Sequence, residues 1–368
     1  MATGFVWHER YMWHDTGNYA GPLPAIFPLQ PGQHAENPET KRRIRNLLEV
    51  TGVLEQLVPI APRPATDEEI LRVHTPEYLK KLEEMNANPR GGDAGGMTPF
   101  GPGSLDIARL SAGGVIAATD AVIDGVVSNA YALVRPPGHH AMPDTGMGFC
   151  MLSNAAIAGR HALAVRGLDR IAFVDWDVHH GNGTEAAFWT EPRALTISIH
   201  QDRCFPPTTG GIDARGEGPG FGANINIPLP PGSGVGAYEA TFDRVVIPAL
   251  RAFKPDLIFV PSGFDAGAHD PLGRMMMHSE GYRSLTRKLM AAAEELCGGR
   301  LVMCHEGGYN APTVPFYALA VIETLGGINS RTEDPFMPLF EHMGGQELQP
   351  HQEDVIARCA ALLEALPA

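Results

Sequence analysis

The stretch Ile171-Ala172-Phe173-Val174-Asp175-Trp176-Asp177-Val178-His179-His180-Gly181-Asn182-Gly183 constrains this chain more than any other. Four consecutive apolar residues predict a strand buried on both faces, as in a parallel sheet, with polar residues crowding its C-terminal end. Asp177 and His179 stand two apart, so on an extended backbone their side chains leave the same face. A carboxylate beside an imidazole makes two thirds of a divalent metal site. Gly181 and Gly183 then let the chain turn sharply. One such pair alone favours a plain buried Asp–His contact. Two further stretches, one on each side in sequence, tip the reading toward a metal.

Those stretches are found by following the chain. Gly4–Trp7 reads as a first strand and Tyr131–Val134 as another, with an Ala-rich helix over Leu105–Gly125 between them. A helix starts at Asn37-Pro38-Glu39-Thr40, with proline in its first turn. A second starts at Thr66, where Glu69 closes a capping box. Helix Asn154–Val165 leads into the central strand. Strands Ala194–Ile199, Asn224–Ile227, Asp256–Pro261 and Arg300–Cys304 follow, with helices over Tyr238–Phe253 and Ser279–Glu295. Asp15–Gln33, Pro89–Gly103 and Cys204–Gly222 are rich in Gly and Pro and read as loops, the second as a rim beside a site. Strand–helix alternation predicts an α/β fold, a central mostly parallel sheet between helices on both faces. No repeat or linker divides the chain, so residues 1–368 are expected to form one catalytic domain. Residues 331–368 would be a peripheral C-terminal segment or an oligomer contact.

Ligands of such sheets lie beyond the C-terminal strand ends. Val134 is followed by Arg135-Pro136-Pro137-Gly138-His139-His140, Pro261 by Ser262-Gly263-Phe264-Asp265, and Cys304 by His305-Glu306-Gly307-Gly308-Tyr309. Asp265 can supply a third ligand beside Asp177 and His179, and three protein ligands with an open position suit a catalytic metal. His139 and His140 offer acid–base groups that titrate near neutrality. Tyr309, on a glycine-freed loop, can donate its hydroxyl to a developing oxyanion. These parts assemble a metal-assisted hydrolysis of an amide or related acyl bond.

Composition narrows the partners. The formal net charge is -14, which argues against nucleic-acid binding, since that needs clustered Lys and Arg. The five cysteines form no C-x-x-C pair, so reduced thiols are expected rather than a disulfide framework. Neither a signal peptide nor an apolar run of about 18 residues is read, so no membrane partner and a cytoplasmic location are expected. A phosphate loop, a dinucleotide fingerprint and a nucleophile elbow are all missing from the sequence.

On Arg135–His140, Met147-Gly148-Phe149-Cys150, Asp175–Gly183, Gly263–Asp265 with Asp270-Pro271-Leu272-Gly273, and Glu306–Tyr309, the sequence resembles the zinc-dependent histone deacetylases. It is most similar to their class II-like bacterial amidohydrolase members, from about Trp7 to Gly326. The resemblance implies the arginase/deacetylase-type fold. It implies one catalytic Zn2+ per chain on Asp177, His179 and Asp265, with His140 as general base. His139 would be its electrostatic partner, oriented by Asp175, and Tyr309 would stabilise the oxyanion. Phe149 and Phe205 would wall an acyl-lysine tunnel, with Gly148 along its floor and Leu272 and Gly307 also lining the substrate. Asn182 stands beside the second histidine where some members carry Asp. The resemblance further implies a structural K+ near Asp175, Asp177, His179, Ser198 and Ile199, with Phe188 part of a second such site.

The expected function is removal of an N-acetyl or other acyl group from a lysine-like amine, in a peptide, a protein or a small acylated amine, by a homo-oligomer. An acetylpolyamine amidohydrolase is the nearest alternative. Members preferring acetylated polyamines can carry a glutamate at the Leu272 position. An arginase-type binuclear ureohydrolase would need acids where Gly181 and Gly263 stand. A non-catalytic acyl-lysine binding module would not need both histidines and Tyr309.

Overall fold

Period-two alternation along Ile171–Val174 decides how the layers are stacked. Ile171 and Phe173 point into one core, with residues of helices Ser104–Ile123 and Asn154–Ala164. Ala172 and Val174 point into the other, with Glu39–Val50, Ser279–Cys297 and Val314–Gly326. All four residues are fully buried, and a side chain such as Phe173 contributes about 2–3 kcal/mol by leaving water. A strand so constrained can only be central.

In the computed structural model, which describes residues 2–366, eight strands form one sheet whose pairings are all parallel. They are β1 (Thr3–Val6), β2 (Val58–Ile60), β3 (Asn129–Ala132), β4 (Ile171–Asp175), β5 (Ala194–Gln201), β6 (Asn224–Leu229), β7 (Leu257–Ser262) and β8 (Leu301–His305). Their spatial order is β6-β5-β4-β7-β8-β3-β1-β2. The α/β arrangement is the one the sequence implies. Its consequence for the site is direct, because β4, β7, β8 and β3 are neighbours. Their exits carry Asp177 and His179, Asp265, Tyr309, and the two histidines His139 and His140.

Several elements differ from their sequence expectation. β2 has no sequence signal, being three residues with Pro59 in the middle, and it survives as an edge strand where a missing N–H is harmless. β3 begins two residues earlier than expected, because Asn129 and Ala130 pair with Leu301 and Val302, while Val134 lies beyond the ladder. The helix expected over Tyr238–Phe253 runs Val235–Thr241, widens to i→i+5 winding over Phe242–Val246, and resumes as Ile247–Phe253. Pro248, lacking an N–H, cannot make its i→i−4 bond, and the wider turn absorbs that loss. The Asp15–Gln33 loop contains a small antiparallel sheet of Asn18–Ala20, Leu23–Pro24 and Gly32–Gln33. In the C-terminal segment, helix Pro350–Ala360 lies on β6 and buries Ile356 and Cys359.

Two buried side chains hold long segments against the strand exits. Arg135 reaches Glu36 with Nε at 2.8 Å and the carbonyls of His14 and Tyr11 at 2.7 and 3.1 Å, while Lys41 meets Glu36 at 2.9 Å. Burial alone would raise the Glu36 carboxyl, but Arg135 and Lys41 outweigh it and hold it well below the usual range. His74 fixes the segment that carries Phe149: its Nδ1–H donates to the Met142 carbonyl (3.0 Å), and its Nε2 accepts from the Ser153 N–H (2.9 Å).

That geometry gives a pH dependence with a definite sign. An imidazolium has no acceptor for Ser153, and burial holds His74 down to about 4. Above pH ~6.5 it is neutral in both folded and unfolded chains. As pH falls through that value only the unfolded chain takes up the proton, so stability drops until the folded form titrates too. The loss from this one residue is about 3 kcal/mol. A His74→Asn protein should show an unfolding free energy that falls less steeply between pH 6.5 and 4 by about that amount. Parallel curves for the two proteins would remove His74 from the account.

Candidate active site

Beyond Asp175 the chain leaves β4, and a run of short side chain–backbone bonds takes over. Asp175 Oδ1 accepts the Asp177 N–H (3.0 Å), and Asp177 Oδ1 accepts the His179 N–H (2.9 Å). Asp177 and His179 therefore converge, though through these turns and not through strand alternation, since the strand has already ended. Across the gap, Asp265 Oδ1 accepts the Val178 N–H (2.8 Å), and Asp177 Oδ2 accepts the Gly307 N–H (2.9 Å). Three strand exits are thus locked to one another by two carboxylates.

The ligating atoms of these three side chains also fit a metal. His179 Nδ1 lies 3.1 Å from Asp177 Oδ1 and 3.2 Å from Asp265 Oδ2. Two ligands at zinc distances and a tetrahedral angle stand ~3.3 Å apart. A single Nδ1–H can serve only one carboxylate oxygen, and Asp265 Oδ2 is buried with no hydrogen-bond partner among the described residues. Burial and then Asp177 push the Asp265 carboxyl up; the same carboxylates outweigh burial and push His179 well above its usual value. A divalent cation relieves both. A second buried group, His139, Cys150 and Glu306, also has ligating types within reach of one another. There, however, Glu306 Oε2 is committed to the Gly138 and His139 N–H groups at 2.7 and 3.1 Å.

The acids that a binuclear site would add have no room. A Cβ on Gly263 would stand 2.1 Å from Asp177 Oδ2, and one on Gly181 2.4 Å from Asp175 Oδ2. The geometry therefore favours one metal.

The two histidines lie with ring centres 3.9 Å apart and differ in their partners. His139 Nδ1 donates to Asp175 Oδ2 at 2.9 Å, and Asp177 Oδ1 lies 3.7 Å from its Nε2. Burial opposes charge on His139, but Asp177 and Asp175 outweigh it and raise it to about 10. His140 Nδ1 meets Asn182 Oδ1 at 2.7 Å, and Asn182 Nδ2 in turn donates to the His140 carbonyl at 3.3 Å. The Asn182 oxygen is therefore the acceptor, His140 carries its proton on Nδ1, and its Nε2 lone pair is free. Burial, His139 and His179 together push His140 well below its usual value. The two imidazoles are thus pushed in opposite directions, His139 toward its charged form and His140 toward its neutral one.

A narrow pocket of about 150 Å³ leads to these groups, lined by His140, Gly148, Phe149, His179, Phe205, Leu272 and Tyr309. The Pro89–Gly103 loop reaches it through Met97: Gly148 and Phe149 donate their N–H groups to the carbonyls of Gly96 and Met97 at 2.9 and 3.2 Å. Gly148 is required by space, since a Cβ there would lie 2.5 Å from the His140 ring and 2.7 Å from Phe205. Phe149 itself sits at φ +71°, a conformation that costs a branched or bulky residue about 1–2 kcal/mol and turns its ring toward Tyr309 at 5.9 Å. Burial, then Asp265 and Asp177, push the Tyr309 hydroxyl well above its usual value, so it stays a donor.

The expected site residues are thus brought together, with two qualifications. Ser198 pairs in register with Asp175, and its Oγ accepts the Gly181 N–H at 3.3 Å, but the Ile199 side chain is buried in the core. Phe188 packs on Phe173 with ring centres 4.9 Å apart. Pro22, Met97 and Cys204 also line the pocket and carry no recognisable sequence signal. Glu306 and Asp270 stand inside the motifs named above, yet Glu306 holds Gly138 and Asp270 holds Tyr309, both far away in sequence.

Comparison with known proteins agrees with this geometry. The chain matches the histone deacetylase domain family over residues 34–325. It belongs to the histone deacetylase family. A histone deacetylase-like amidohydrolase of Pseudomonas aeruginosa is 49% identical over 342 residues, covering 92% of this chain and 90% of the relative. Histone deacetylase 8 of Arabidopsis thaliana is 37% identical, with 86% of each chain covered. The crystal structure of the HDA15 HD domain superposes with a TM-score of 0.87 at 32% identity, covering 100% of this chain and 97% of that one. Membership in the histone deacetylase family supports a deacetylase or amidohydrolase activity, on a fold with a residue group at its strand exits that could hold a metal ion. Among the described residues no helix is long and apolar enough to cross a membrane.

Proposed function

We propose that the chain is a zinc-dependent amidohydrolase that removes an acetyl or similar acyl group from a lysine-like amine. The observation that carries this is the convergence of Asp177, His179 and Asp265, with an orphaned carboxylate oxygen, beside a neutral imidazole at the end of an apolar pocket. A divalent ion held there supplies Lewis acidity, polarising a carbonyl and making water acidic near neutral pH. His140 Nε2 accepts the proton of the attacking water and delivers it to the departing amine nitrogen. Asn182 keeps that lone pair facing the pocket by accepting the hydrogen bond from the His140 Nδ1–H. His139, which Asp177 and then Asp175 push toward its charged form, adds positive charge next to the base and favours the charge that develops on the carbonyl oxygen. The Tyr309 hydroxyl donates to the same oxygen. Ser198 next to Asp175 supports the placement of a structural K+ behind the site, and the five free cysteines support a cytoplasmic location.

The pocket walls support a neutral-stemmed substrate. Phe149, Phe205, Leu272 and Met97 present apolar surface, and the ammonium that either acetylated polyamine carries would lie among them without a partner, which is costly. An acetyl-lysine peptide should therefore exceed acetylspermidine and N-acetylputrescine in kcat/KM. Purified protein of measured metal content, assayed on the three substrates, tests both the activity and the preference. No turnover of any of them would overturn the activity. A preference for either polyamine of about tenfold, or 1.4 kcal/mol, would overturn the role of Leu272.

A further inference from the structure

Tyr309 stands four residues past the end of β8, outside the sheet ladder. Two glycines precede it, and Gly308 sits at φ +119°. Such a segment has slack, and a hydroxyl displaced by about 1 Å forfeits on the order of 10² in rate. One end of the segment is fixed by Gly307, whose N–H reaches Asp177 Oδ2 at 2.9 Å and whose carbonyl accepts from Phe264 at 3.0 Å. The other end is fixed by Asp270. Its Oδ2 accepts the Tyr309 N–H at 2.8 Å, and its Oδ1 accepts the Leu272 N–H at 2.8 Å. Next to it the Asn310 amide donates to the His269 carbonyl at 2.9 Å.

Asp270 is buried, with 6% of its surface exposed, and both of its oxygens face backbone donors. Burial and then Asp265 push its carboxyl up to about 7. A neutral turn former would give the local bond to Leu272 without that strain. Only an acceptor with two separate oxygens joins the Leu272 turn to the Tyr309 loop, and Leu272 in turn touches the far wall, where Cys204 Sγ approaches its carbonyl at 3.6 Å.

We infer that Asp270 is a positioning residue that sets the Tyr309 hydroxyl toward the reacting carbonyl by bonding the Tyr309 and Leu272 backbones with its two oxygens. The inference rests on the deacylase reading above.

The test is steady-state kinetics on an acetyl-lysine peptide with Asp270→Asn and Asp270→Ser, each made in the wild-type and Tyr309→Phe backgrounds, with metal content measured. Asparagine keeps one acceptor oxygen, so one of the two bonds is lost. Serine keeps a hydroxyl that reaches the Leu272 N–H two residues on but falls short of Tyr309. Each variant should keep its metal and lower kcat by about tenfold or more, with KM changed by less than about threefold. In the Tyr309→Phe background the further loss should be under about threefold, because the group acted upon is already gone. Unchanged kcat in both variants, or a loss of equal size in both backgrounds, would overturn the inference. So would insolubility of both, since a group acting only on this loop leaves the fold standing. A wild-type protein without turnover would instead count against the deacylase reading itself.

Discussion

Asp265→Asn is expected to empty the metal centre while leaving the sheet intact. The substitution keeps an oxygen for the Val178 N–H and removes only the charge and the orphaned Oδ2 that faces His179. Losing one of three ligands should weaken metal binding well beyond the roughly 10–100-fold typical of losing an outer partner, and activity should fall with the metal. Wild-type protein should hold one transition-metal equivalent by elemental analysis. Chelation should also lower its melting temperature, because the metal-free site keeps two buried carboxylates against one imidazole. A second bound equivalent would overturn the mononuclear reading, as would an Asp265→Asn protein that retains full metal content.

The parts of this molecule legible in the sequence are those whose signal is local. Ile171–Asp175 announces itself by four apolar residues ending in polar ones, and its burial on both faces follows from that composition. Thr66 and Glu69 form the capping box their spacing predicts. The exits of β3, β4, β7 and β8 could be listed from sequence, but their adjacency could not, since strand order is set by long-range packing. The convergence of Asp177 and His179 was legible for an imperfect reason: they share a direction through successive side-chain turns past the strand end. What stayed hidden depends on distant partners. β2 exists only because Gly4–Val6 offers an edge to Val58–Ile60. Glu306 finds Gly138 168 residues away in sequence, and Asp270 finds Tyr309 39 residues away. Local reading assigns such acids to turns, which is half of what Asp270 does.

Removing a single oxygen atom, in Tyr309→Phe, should lower kcat by about 10²–10³, or roughly 3–4 kcal/mol, with little change in KM. The phenol is half-buried and lines the pocket, and its hydroxyl is pushed well above its usual value, so its contribution is that of a donor and not of an acid. Its ring packs edge-on to Phe149 at 5.9 Å and under the Lys41 ammonium at 5.8 Å, contacts that phenylalanine reproduces. The backbone bond to Asp270 is also untouched. Fold, metal content and pocket shape should therefore be unchanged, and only the interaction that strengthens as charge gathers on the carbonyl oxygen is lost. Ground-state binding, which rests on the apolar walls, should survive. An activity within about threefold of wild type on an acetyl-lysine peptide would show that the hydroxyl does not face the reacting carbonyl. Equal rises in KM with kcat preserved would place it instead among the groups that merely hold the substrate.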